Sequence, residues 1–464
     1  MRPTLIRMHE YDDAAASLAA RMAELSIDRL QMQAPLDRTL SPAELEELAG
    51  QTVTPGGIGG EAAAQLWEDV LAPACLSIDH PRYLAFIPGA PSKAAAAFDM
   101  LIGASSIYGG SWLEASGAVY AENQALRWIA DLAGLPESAG GVFVQGGTNG
   151  NLSALVAARA AALHARGGTR PARWAVMLTH ETHSSVKHAL ESVMDVDVVE
   201  IPGDDRGRLT GSAIRSWLEI ATDEQRHSVF AVVATAGTTN LGVIDDLAGI
   251  GEVAREQGWW FHVDGAYGGA GLAAPSVRAL FDGIEQADSF IVDPHKWLFS
   301  PFDACALLYR DPVLARAAHT QKASYLDVLT DDPTRSVWNP SDYAIHLTRR
   351  PRGLPLWFSL AVNGTDAYRD AIETTLAVTR AARELIDAAD HVNLLVDPDL
   401  SVLIFERVGW SDADYNAWSD RLLKDEIAFV TPTKHRGRVC TRFAIVNPRT
   451  TVADLQLVLD SMRD

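Results

Sequence analysis

Seven short apolar runs, most of them separated by stretches of helical periodicity, constrain this chain more than any other feature. They fall at 142–145, 174–178, 196–201, 229–234, 259–263, 290–292 and 304–309, with helical patterns at 150–165, 184–193, 211–221 and 247–257 between them. Strands apolar on both sides need cover on both faces, which crossover helices between parallel strands provide. The pattern predicts an α/β fold, with a mostly parallel seven-stranded central sheet. Open sheets of this kind bind ligands outside the carboxyl ends of their strands. Chemistry is therefore expected in the residues just after each run.

At 464 residues the chain exceeds what one hydrophobic core usually serves. Three parts are expected: an N-terminal helical segment (1–80), a large domain (81–360) and a small C-terminal α/β domain (361–464). Residues 11–33, 41–49 and 61–71 read as helices, and Ser41-Pro42-Ala43-Glu44 supplies an N-cap, a proline at the first helical position and a Glu at the third. This opening segment has too little apolar surface for a core of its own. It should pack on another subunit or on the main domain. A long helix is expected at 114–133, and the proline-rich, charged stretch 311–356 reads as a loop or lid. Helical periodicity returns at 357–389, followed by strands near 392–396, 401–406 and 439–446 and a helix from Val452.

A formal charge of -21 argues against a nucleic-acid surface, which needs clustered Lys and Arg. No stretch approaches the apolar length of a membrane span, and the first residues do not read as a signal peptide. Cys75, Cys305 and Cys440 lie far apart, with no CxxC or Cys/His cluster, which fits a reducing cytoplasm rather than a disulfide framework or zinc site.

Two residues carry most of the chemistry. Asp264 ends one apolar run in His262-Val263-Asp264-Gly265-Ala266-Tyr267, and Lys296 follows another in Asp293-Pro294-His295-Lys296-Trp297. An amine that forms a Schiff base with an aldehyde, and a carboxylate that pairs with a pyridinium nitrogen, are what pyridoxal phosphate requires. Singly, the acid could cap a turn and the lysine could be a surface residue; the two flanking patterns together favour the cofactor. Gly146-Gly147-Thr148-Asn149-Gly150 lies between a strand and a helix, where glycines and the first helical N–H groups can cradle a phosphate. It lacks both GxxxxGK[ST] and GxGxxG, and alone it could equally be an ordinary strand-to-helix connection. His183 could stack on a flat heterocycle or merely cap a helix. His180 lies three residues earlier with no third ligand evident, so no metal is expected. Thr239, in a Gly/Thr turn after another run, could face the cofactor ring. Tyr83, Phe86 and Trp112 could line an aromatic substrate pocket or fill a core.

These motifs resemble the group II pyridoxal-phosphate decarboxylases, which include the aromatic amino acid, glutamate, histidine and tyrosine enzymes. The likeness is strong over about 75–310 and looser beyond. His80-Pro81-Arg82-Tyr83-Leu84-Ala85-Phe86 is similar to the family's substrate-pocket segment, and Gly147, Thr148 and Asn149 to its phosphate loop. His183 matches the ring-stacking histidine, Thr239 the ring-side threonine, Asp264 and Ala266 the HVDxAY-type motif, and His295 and Lys296 the PHKW signature. The resemblance implies the aspartate aminotransferase-like fold (fold type I) and a homodimer with active sites at its interface, residues 1–80 serving dimerisation. Gly265 replaces the usual alanine, a change expected to widen the site slightly. The family's mobile-loop tyrosine has no clean counterpart: Tyr325 and Tyr343 bracket the loop, Pro340 falls nearest, and Tyr325 is the candidate proton donor.

The function expected is decarboxylation of an L-amino acid, aromatic by preference, to the amine and carbon dioxide through Lys296. The alternatives are an oxidative decarboxylase that yields aldehydes, or a decarboxylase of an acidic or aliphatic amino acid. An aminotransferase, an aldolase-type lyase and a cofactor-binding protein on an inactive scaffold are the remaining rivals.

Overall fold

A computed structural model describes residues 8–321 and 337–463. The central sheet comprises β1 (Gly140–Val144), β2 (Ala175–Leu178), β3 (Asp197–Glu200), β4 (Val229–Thr235), β5 (Trp260–Asp264), β6 (Ser289–Val292) and β7 (Cys305–Tyr309), in the order β1-β7-β6-β5-β4-β2-β3. Pairs from β3 through β6 are parallel, whereas β7 runs antiparallel to both β6 and β1. The sheet is thus mostly parallel and seven-stranded, as the alternation predicted. Its interior strands are buried throughout, while edge strand β3 carries exposed Asp197 and Glu200. Side chains alternate faces: Phe261 and Val263 join one apolar cluster, and Trp260 packs into the cluster on the other face.

A second sheet of four antiparallel strands holds β8 (Val392–Val396), β9 (Val402–Arg407), β10 (Pro432–His435) and β11 (Arg438–Ala444), in the order β10-β11-β9-β8. Helices Asp412–Lys424 and Val452–Asp460 share its core through Trp418, Leu422, Leu455 and Val458. Helix Leu354–Ala388 leads into this sheet and is interrupted at Gly364, whose φ of 76° is the left-handed region glycine tolerates.

Three elements depart from the expectation. The stretch 311–356 is not wholly a loop, because Asp311 accepts from the Val313 amide and caps a helix over Pro312–His319. Helix Lys93–Ser105, capped by Ser92, has an alanine-rich start that carries little helical periodicity; Phe98 stacks on Phe358 of the long helix at 4.1 Å. Strand β10 is polar and partly exposed, so no apolar alternation announces it.

One buried ion pair ties the helix Trp112–Leu132 to the start of the long helix. Arg349 donates to both Glu122 oxygens at 2.6 and 2.7 Å and to the Gly109 carbonyl, and the Gly353 amide donates to Glu122. Both charged side chains are almost fully buried. Removing one partner strands the other charge in a low dielectric. Glu122→Ala should therefore lower unfolding stability by about 3–5 kcal/mol in chemical denaturation; a loss near that of a surface pair would show that the contact bears little weight.

Candidate active site

The carboxyl ends of the parallel strands open on a cavity of about 250 Å³. Its walls include Gly147 and Thr148 after β1, His183 after β2, Thr239 beyond β4, Asp264 and Ala266 at the end of β5, and His295 and Lys296 after β6. Eight of the expected cofactor residues thus meet there: Gly147, Thr148, His183, Thr239, Asp264, Ala266, His295 and Lys296. Asn149 does not line the cavity. Its amide donates to Gln145 Oε1 and its oxygen accepts from Ser153, which braces the turn instead.

Each wall residue is held by its local fold. Helix Gly147–Ala165 begins at Gly146 with no side-chain cap, so its first N–H groups face the cavity end. A Cβ at Gly147 would come within 3.2 Å of Ala266 and of Asp293, a tight fit that would press on both side chains. His183 caps the helix Ser184–His188: its Nδ1 accepts from the Ser185 amide and meets the Ser185 hydroxyl at 2.8 Å. The capping role and a ring presented to the cavity are thus compatible. Nδ1 of His295 is pinned by Ala304, 2.7 Å from its carbonyl, and burial lowers the imidazole pKa.

Asp264 is buried, accepting from the Asn151 amide at 2.8 Å and from the Ala266 amide at 3.0 Å. Lys296 Nζ lies 3.0 Å from Asp293 Oδ2. Burial alone would depress the lysine pKa, but the Asp293 and Asp264 carboxylates outweigh it and leave the ammonium above its ordinary value. Asp293 also accepts from the Gly147 amide at 3.3 Å and sits 3.6 Å from His295 Nε2. Asp293, Asn151 and Tyr267 are wall residues that sequence reasoning missed. The Asp293-Pro294-His295-Lys296 spacing placed the first of them one helical turn from the lysine, a signal available but unused.

The substrate-pocket candidates stand apart from this cavity. Tyr83 is buried against Phe429, ring centroids 4.9 Å apart. Phe86 is 59% exposed on a backbone with φ of 52°, a conformation unfavourable for a bulky side chain. Its segment still passes close to the lysine turn, since a Cβ on Gly89 would strike the His295 carbonyl at 2.1 Å. Trp112 opens the helix Trp112–Leu132, its amide donating to Asn339. Tyr343 packs against Trp338 with centroids 4.0 Å apart and does not reach the cavity; Tyr325 lies outside the described residues. Gly265 does not widen the site. The space its missing side chain leaves is taken by Phe290, which a Cβ would meet at 2.5 Å. Among the described residues no group of three His, Cys, Asp or Glu could hold a metal ion.

The donor set fits pyridoxal phosphate: a helix N-terminus with Thr148 for a phosphate at one end, a buried carboxylate for a ring nitrogen, and a lysine for an aldehyde. Such a set suits a pyridoxal-phosphate enzyme. Residues 60–408 match the family described as the pyridoxal-dependent decarboxylase conserved domain, and the chain belongs to that family of carboxy-lyases. An aromatic-L-amino-acid decarboxylase from Bacillus atrophaeus is 29% identical over 82% of this chain and 80% of its own. An L-2,4-diaminobutyrate decarboxylase from Rhizobium meliloti is 33% identical over 83% and 78%. The crystal structure of Oryza sativa TDC with PLP and tryptamine superposes with a TM-score of 0.88 over 97% of this chain and 98% of that one, at 24% identity. The fold is accordingly that of fold type I.

The lysine contact generates a test. Replacing Asp293 by Asn removes the anion that stabilises the ammonium, so the Lys296 pKa should fall. In cofactor-stripped protein, the pH midpoint for acylation of Lys296, followed by peptide mass mapping, should move to lower pH. An unmoved midpoint would show that Asp293 does not govern this amine.

Proposed function

We propose that the protein decarboxylates an aromatic L-amino acid to the amine and carbon dioxide, with Lys296 as the residue that carries the cofactor. The observation behind this reading is the convergence of the Lys296 amine and the buried Asp264 carboxylate on one cavity. Gly147, Thr148 and His295 would hold the phosphate, Asp264 the ring nitrogen, and His183 and Thr239 the ring. When bound, the cofactor supplies a protonated ring that accepts the electron pair left as carbon dioxide departs.

The chain's own residues do the rest. Asp264 keeps negative charge at the cavity wall, where low dielectric strengthens its hold on a protonated nitrogen. The 3.0 Å contact with Asp293 holds Lys296 Nζ at the cavity wall, where the amine is the nucleophile once its proton has left to solvent. His183 engages Ser185 through Nδ1, which leaves Nε2 to hold or move a proton. The preference for an aromatic side chain draws on the 29% identity with the Bacillus atrophaeus relative. A second reading, decarboxylation of an aliphatic diamino acid, draws on the 33% identity with the Rhizobium meliloti relative.

The reading extends to a cytoplasmic homodimer. Helix Asp13–Gln31 has no buried residue, and Leu18, Met22, Ile27 and, just beyond it, Met32 are exposed. A helix whose apolar side chains are this exposed fits a subunit interface. The three cysteines are free, and no described helix is long and apolar enough to cross a membrane.

Incubating purified holoenzyme with each L-amino acid, while following amine, carbon dioxide and peroxide together, tests the chemistry. Aromatic substrates should give equal amine and carbon dioxide without peroxide; turnover of diaminobutyrate alone would favour the second reading, and peroxide an oxidative course. Lys296→Ala should abolish borohydride trapping of the cofactor, and Asp264→Asn should lower kcat by about 100-fold or more while the protein still folds. Light scattering should report a dimer, and Met22→Glu with Ile27→Glu should shift it to monomer. A wild-type monomer of full activity would sink the dimer proposal.

A further inference from the structure

From Asn151 at the cavity wall a buried polar chain runs into the sheet behind Asp264, and apart from Asp264 the proposed chemistry does not use it. Trp260, His262 and Asp264 occupy alternate positions of β5 and so share one face of the sheet. Helix Gly147–Ala165 covers that face and sets Asn151 against it; β6 contributes Ser289, paired in register with His262. All five residues are at most 7% exposed. Polar groups buried this deeply on an otherwise apolar sheet face need a reason, because each costs desolvation unless it is fully paired.

The pairing is complete and has one direction. Asn151 Nδ2 donates to Asp264 Oδ2 at 2.8 Å, which turns its oxygen toward His262 Nε2, also at 2.8 Å. That nitrogen must then carry the proton. His262 Nδ1 is left bare and accepts from the Ser289 hydroxyl at 2.7 Å. The Ser289 oxygen in turn accepts from Trp260 Nε1 at 2.8 Å. Trp260 can only donate and the carboxylate can only accept, so both ends of the chain are fixed by chemistry. No other orientation of the Asn151 amide satisfies every link.

We propose that Asn151, His262 and Ser289 act as a positioning relay that holds Asp264 in one orientation, as a carboxylate with no compensating cation behind it. The proposal rests on the pyridoxal-phosphate reading and deepens it, by naming what aims the acid at the ring nitrogen. The imidazole stays neutral in this arrangement, since both its nitrogens are already matched. Burial pushes its pKa down to about 4, against the opposing pull of Asp264. A protonated His262 would neutralise Asp264 from behind and weaken its grip on a ring cation; the relay prevents this. A hydrogen bond to a charged group, and the orientation it imposes, is large enough to register as about a tenfold change.

The test uses holoenzyme loaded with cofactor labelled with nitrogen-15 in the ring, and reads two signals besides activity. These are the ring-nitrogen chemical shift, which reports protonation, and the rate of cofactor release. Asn151→Leu should move the ring signal toward the unprotonated form and speed release about tenfold. His262→Leu, which leaves Asn151 unoriented, should move both the same way by about threefold in release. His262→Gln, which retains a donor for the Asn151 oxygen, should stay within about twofold of wild type. Should Asn151→Leu fail to fold, the His262 pair decides the matter alone. Indistinguishable Leu and Gln variants, or folded variants with the wild-type ring signal, would reduce the chain to packing and overturn the proposal. Borohydride trapping of wild-type protein keeps the two questions separate: failure to trap cofactor on Lys296 refutes the function reading, whereas trapping with an unresponsive relay refutes the relay alone.

Discussion

The carboxylate of Asp264 is the constraint around which this site is organised. It ends β5, the strand paired with both β4 and β6, where burial removes water from the charge. Such a group is tolerated only because donors replace that water: the Ala266 amide on one oxygen and Asn151 on the other. The Ala266 amide is available because the backbone turns out of the strand immediately after Asp264. The glycines at 265, 268 and 269 make that turn possible, as side chains there would collide with Phe290, Ala236 or Val292.

A second carboxylate performs the opposite service. Asp293 faces the Lys296 amine and raises its proton affinity, which favours an ammonium anchored beside the Gly147 amide. Two acids of one cavity thus have distinct tasks. Asp264 is held by neutral donors, whereas Asp293 is matched by a cation. Their separation comes from the sheet: one follows β5 directly, the other follows β6 and opens the turn that brings Lys296 round.

Much of this was readable in the residues themselves. The seven apolar runs located the strands because buried parallel strands tolerate few polar side chains, and the carboxyl-end rule then located the site. What escaped was set by tertiary contact. Asn149 looked like a cradle residue but braces its own turn through Gln145, a choice that sequence spacing cannot reveal. Gly265 looked like added room, yet Phe290 from the neighbouring strand fills it. Asn151 stands at the end of the glycine-rich segment with no role that spacing could assign, and its importance emerges only when the helix is laid across β5. Helix Asp412–Lys424 was hidden because its surface is mostly polar, although Ser411 and Asp414 form a capping box at its start.

The opening helix has one further consequence. It buries no residue, and its ties to the rest of the chain include the ion pairs of Arg21 with Glu68 and of Arg29 with Asp79, which stabilise little at a surface. In the proposed dimer a second subunit would cover its apolar stripe, and its order would then depend in part on mass action. Dilution would act on such a segment as a denaturant, fraying first the turns whose partner must arrive by diffusion.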